Sequence, residues 1–74
     1  MIRVRLYGVV RLTAGVSGFD VDVDTLDALW NAIPGVSRKE AKDLVLLVNG
    51  KKVGRWYRFK DGDEVSLMSP AGGG

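Results

Sequence analysis

The chain contains no cysteine and no histidine among its 74 residues. Without cysteine there is no disulfide framework, no thiolate-ligated metal and no thiol nucleophile. Without histidine as well, most metal sites and most nucleophile–base pairs are excluded. Charge of one sign is also lacking. Eleven Lys and Arg stand against nine Asp and Glu, a net charge of +2. So balanced a surface does not imply bulk capture of nucleic acid or of a membrane. No apolar run approaches the roughly 18 residues of a membrane span. Met1 leads at once into Arg3 and Arg5, so no secretion signal is expected and a cytoplasmic setting is. What remains is an ordinary globular mixture, 46% hydrophobic and 27% charged, of a size for one small domain.

The hydrophobic pattern changes period along the chain. Ile2, Val4 and Leu6 alternate with Arg3, Arg5 and Tyr7, which predicts a half-buried strand. Gly8, Gly15 and Gly18 punctuate the next stretch, which reads as a loop or hairpin connection. Phe19, Val21 and Val23 alternate with Asp20, Asp22 and Asp24, a second strand antiparallel to the first. Leu26, Leu29, Trp30 and Ile33 then fall on one face of a helix, with Asp24 or Thr25 as cap and Pro34-Gly35 as stop. Trp30 reads as core. Ser37 to Glu40 is a capping-box pattern and predicts a short helix or turn over about 38–43.

Leu44 to Val48 is a continuous apolar run, the pattern of a central strand buried on both faces. Asn49-Gly50 predicts a tight hairpin. Lys51 to Phe59 reads as a polar, aromatic edge segment. Asp61-Gly62-Asp63 forms a turn before a last strand marked by Val65 and Leu67. The last strand can lie parallel to the first in the sheet's centre. The expectation is an α+β fold of β-grasp (ubiquitin-like) type: a mixed sheet, one main crossing helix and a flexible glycine tail. Its domain would occupy residues 1–68 and its tail residues 69–74.

Four groups of residues suggest chemistry. Asp20, Asp22 and Asp24 suit a hard cation, but alternate carboxylates on a strand spread apart, and Arg3 and Arg5 oppose them across the hairpin. A solvated sheet face is the simpler reading. Lys51, Lys52, Arg55, Arg58 and Lys60 surround Trp56, Tyr57 and Phe59, a pattern that can stack single-stranded nucleic acid. An edge guarded by cations, with one or two aromatics turned inward, explains it as well, and neither a nucleic-acid nor a membrane partner is expected. Asp61, Asp63 and Glu64 belong to a turn rather than to an acid/base pair. The fourth group is the end of the chain, Ser69-Pro70-Ala71-Gly72-Gly73-Gly74. An arm of six residues reaches about 20 Å when extended. Glycines without Cβ let a narrow slot close on its backbone. A terminal carboxylate is a poor electrophile until activated, and the chain has no phosphate-binding loop for ATP.

Across its whole length the sequence resembles the ThiS/MoaD-type ubiquitin-like sulfur carriers, most of all the small subunit of molybdopterin synthase. The resemblance is carried by Ile2 to Tyr7 with Val10-Arg11, by Thr25-Leu26 with Leu29, and by Val48-Asn49-Gly50. It is completed by Asp61-Gly62-Asp63-Glu64-Val65 and by Pro70 with Gly73-Gly74. It implies a carrier rather than an enzyme, with no cofactor bound by this chain. ATP would be used by an adenylating partner related to the ubiquitin-activating enzymes, acting on Gly74. A sulfur donor protein would then convert the adenylate to a thiocarboxylate. The large subunit of molybdopterin synthase would receive the tail, including Ala71, Gly72 and Gly73, for molybdenum cofactor biosynthesis. The positions matching the family's docking residues are Tyr7 and Met68, with Val53 and Pro70 beside them. Two departures stand out: Gly72 makes a triglycine where a larger residue is usual, and Met68-Ser69 replaces an aromatic and a proline. A thiamin-type carrier, a carrier for tRNA thiolation and a ubiquitin-like protein modifier share the same tail.

Overall fold

The computed structural model describes residues 1–70; residues 71–74 lie outside it. Ile2–Tyr7 forms β1, whose residues alternate between buried and exposed along its whole length. The period-two pattern therefore places Ile2, Val4 and Leu6 in the core and Arg3, Arg5 and Tyr7 on the opposite face. Gly18–Val21 forms β2, antiparallel to β1, with Phe19 opposite Val4 and Val21 opposite Ile2. Val45–Val48 forms β3 and Glu64–Met68 forms β4. The sheet order is β2-β1-β4-β3, with β1 and β4 parallel at the centre. That is the expected β-grasp arrangement.

Among the described residues three short helices lie on the core side. The glycine-punctuated stretch after β1 is not a plain loop: Val9–Ala14 forms α1. Its glycines sit at the two ends, Gly8 and Gly15, where they cap rather than interrupt. Buried Val10 and half-buried Ala14, four residues apart, turn it toward the core. The expected crossing helix is α2, Leu26–Trp30, shorter than its pattern, and Ile33 enters the core from the turn after it. Thr25 is the cap, its hydroxyl accepting from the Ala28 N–H at 3.1 Å. Arg38–Lys42 forms α3, and Ser37 and Glu40 close the predicted capping box reciprocally.

Two strand expectations need correction. The apolar run Leu44 to Val48 predicts a central strand buried on both faces, yet β3 is an edge strand of which only Val48 is fully buried. An apolar run shows that both faces of a strand are apolar, not that a second layer covers the outer one. Residues 51–59 form no extended strand; isolated bridges join Lys51 to Val48 and Arg58 to Thr25. Asn49 (φ 51°) and Gly50 (φ 83°) make the expected two-residue turn, closed by bonds of 2.8 and 3.0 Å between Val48 and Lys51. Phe59 is buried and packs edge-to-face on Tyr57, while Trp56 is 81% exposed.

Candidate functional site

The core takes one face of the sheet, so the candidate surface is the other. Strand register assembles it. Tyr7 on β1 lies beside Met68 on β4, and Met68 beside Val45 on β3. The next row is Arg5, Ser66 and Leu47, and the third holds Asp20, Arg3 and Glu64. The outer face is thus divided along the strands. One half is ion-paired, Arg3 to Asp20 at 3.1 Å and Arg5 to Glu64 at 3.3 Å. The other half is apolar: Tyr7 is 46% exposed, and Met68, Val45 and Leu47 are half-buried. The apolar half lies where β4 ends and the chain runs into Ser69, half-buried, and Pro70, exposed. Beyond Tyr7, α1 adds two exposed aliphatics at the same end of β1, Val9 at 64% and Leu12 at 80%.

Of the expected docking residues, Tyr7 and Met68 are brought together as neighbours. Pro70 continues from the end of β4. Val53 is not a member of this row: it is half-buried and lines a groove at the β3 edge with Leu26, Trp30 and Leu46, which Val45 of the row also borders. Trp30, expected in the core, is only half-buried and opens onto that groove. Ala71, Gly72, Gly73 and Gly74, the tail positions expected to carry the chemistry, lie outside the described residues. Sequence reasoning does not anticipate Val45 and Leu47 as surface residues. Their signal is the parity of β3 against β4, which cannot be counted before the register is known.

The acidic groups resolve into structural roles. Arg3 meets Asp20 as expected, but Arg5 takes Glu64 rather than an aspartate of β2, because Gly18 is its neighbour there. Asp24 pairs with Arg58 at 3.2 Å. Among the described residues no three carboxylates gather as a metal site. Asp63 is the one buried charge among them, 7% exposed. Its Oδ2 accepts from the Lys60 N–H at 2.9 Å and the Tyr57 hydroxyl at 2.6 Å, and its Oδ1 accepts from Asn49 Nδ2 at 3.0 Å. The Lys60 N–H first, then the Tyr57 hydroxyl, hold its carboxyl below the usual carboxylate range. The same bond pushes the Tyr57 phenol up. These groups brace the turn before β4. What the described residues offer is an exposed apolar surface beside the end of β4.

Against known protein families, residues 4–74 match the ThiS family model. The chain belongs to the ThiS family. Among solved structures, a Pyrococcus furiosus protein assigned as molybdopterin converting factor, subunit 1, superposes with a TM-score of 0.78 at 23% identity, over 93% of this chain and 95% of that one. SAMP1 of Haloferax volcanii superposes with a TM-score of 0.71 at 26% identity, over 99% and 98% of the two chains. A second structure, of the small archaeal modifier protein 1 of the same organism, gives 0.68 at 25% identity, over 93% and 95%. No curated protein sequence matches. As a ThiS family member with this β-grasp fold, the chain is of the sulfur-carrier or ubiquitin-like modifier type. No helix among the described residues is long and apolar enough to cross a membrane.

Proposed function

We propose that this protein is a cytoplasmic sulfur carrier acting in molybdopterin synthesis, and not itself an enzyme. The observation that carries the reading is the family match running through residue 74, so that it includes the glycine end. An adenylating partner would couple the Gly74 carboxylate to AMP with release of pyrophosphate. Sulfide-level sulfur from a donor would attack the acyl carbon, displace AMP and leave a thiocarboxylate. The large subunit of molybdopterin synthase would then accept the tail and its sulfur. The apolar half of the outer face, Tyr7 and Met68 with Val45 and Leu47, supports docking beside the tail, and Pro70 continues it. Flexible Met68 suits a surface that serves partners in succession. Val53, set in the groove at the β3 edge, is the least favoured of the expected contacts.

Intact-mass measurement of the protein from its native host tests this. The expected result is a species heavier by one sulfur replacing one oxygen, lost when Gly74 is deleted. Normal cofactor synthesis by a chain lacking Gly73 and Gly74 would overturn the reading. The likeness to the archaeal modifier protein favours a second reading, attachment of the Gly74 carboxylate to lysines of other proteins. Lysine-linked adducts without a sulfur-bearing species would select it.

A further inference from the structure

Beside β3, on the side away from β4, lies an open groove of about 320 Å³. Leu26 and Trp30 of α2 line it together with Val45 and Leu46 of β3, and Lys52, Val53 and Arg55 of the loop after β3 add to it. The edge of β3 here is unoccupied by another described strand. Val48 directs both its N–H and its C=O away from β4, to Lys51 at 2.8 and 3.0 Å, while Asn49 directs its N–H to Glu64 at 2.7 Å. Main-chain groups alternate in direction along a strand. Leu46, two residues before Val48, therefore presents its N–H and C=O on the same outer edge, facing the groove. The charge is one-sided: the groove lining holds no carboxylate, and Lys52 and Arg55 form no ion pair with a described carboxylate.

From these three features we infer that the groove docks an extended segment of a partner protein, apolar at alternate positions and flanked by carboxylates. Its main chain pairs with Leu46 as an added strand. Its alternate side chains lie on Trp30, Leu26 and Val53, and its carboxylates meet Lys52 and Arg55. The groove meets the Tyr7–Met68 row at Val45, which belongs to both, and its occupancy does not depend on whether the carboxyl end carries sulfur.

The probe is the peptide acetyl-EDVIVED-amide, titrated into the isotopically labelled full chain and followed by amide and indole NMR shifts. The expected result is saturable shifts at Leu46, Val53 and the Trp30 indole. Lys52→Glu with Arg55→Glu should weaken binding at least about tenfold, as should a central proline in the peptide, which removes its edge donor. Both cations are surface groups, and retained amide dispersion shows that the double variant folds. Should it not fold, a lysine-flanked peptide, acetyl-KKVIVKK-amide, makes the same charge test on the unaltered protein. The inference is overturned by no saturable shift at millimolar peptide, or by equal binding of the lysine-flanked peptide. Shifts centred on Tyr7 and Met68 would also overturn it. So would concentration-dependent shifts at Leu46 without peptide, which would make a second copy of this chain the occupant.

Discussion

The Tyr57 hydroxyl donates a 2.6 Å hydrogen bond to Asp63 Oδ2, joining the loop after the hairpin to the turn that launches β4. The same carboxylate holds Asn49, and Asn49 Oδ1 accepts from the Glu64 N–H at 2.9 Å. One buried charge thus ties together the hairpin turn, the 51–60 segment and the first residue of β4. Replacing Tyr57 by Phe keeps the ring but removes the donor. It should lower stability, because the Asp63 carboxylate loses one of its three donors. Denaturant titration would read it as a lower midpoint with an unchanged slope.

Asp63 also predicts the acid limb of stability. Its carboxyl is depressed in the folded state, so the unfolded chain binds the proton more readily. The stabilisation is complete above the unfolded value of about 3.9 and is lost as pH falls through the folded one. Unfolding midpoints measured from neutral pH downward should therefore fall below about pH 4. In Asp63→Asn that fall should be shallower, from a lower starting stability.

Gly35 has a left-handed φ of 68°, and a Cβ built there would stand 2.7 Å from the Thr13 carbonyl oxygen of α1. The loop before α3 can approach α1 so closely only without a side chain. Gly35→Ala should destabilise by at least about 1 kcal/mol. Gly50→Asn, at a turn position with open space around it, should cost less. Paired thermal melts would compare them.

The docking face gives a prediction of a different kind. Tyr7→Asp and Met68→Asp alter side chains that the fold leaves outward. Melting temperature should change little. Association with the adenylating enzyme proposed as partner should weaken by about 2 kcal/mol, roughly thirtyfold, if these residues anchor the contact. Calorimetry with the purified partner would measure it. Arg3→Ala, on the ion-paired half, should leave that affinity nearly unchanged.

Much of this architecture is legible in the sequence because strand alternation and capping act locally. Ile2 to Tyr7 announces which face of β1 is inward, and Ser37 with Glu40 announces α3 without reference to the rest of the chain. The helix α1 is hidden because six residues give too short a periodic signal, and glycines at both ends read as a loop. The edge position of β3 is hidden for a different reason. Apolarity on both faces of Leu44 to Val48 says nothing of whether protein or solvent lies beyond. The apolar row is a product of three strands in register, so Tyr7 and Met68 are found through resemblance to a family, while Val45 is not found at all.

The parallel pairing of β4 with β1, and its place between β1 and β3, have a mechanical consequence. A pull applied through the carboxyl end runs along the axis of β4. Its bonds to both neighbours are then loaded in shear and must yield together, rather than peel open one at a time. Resistance to such a pull is governed by the rate of forced unfolding, not by the modest equilibrium stability of so small a domain. Force entering at the end of β4 is therefore shared by the two central ladders, and the body of the domain is the last part to give way.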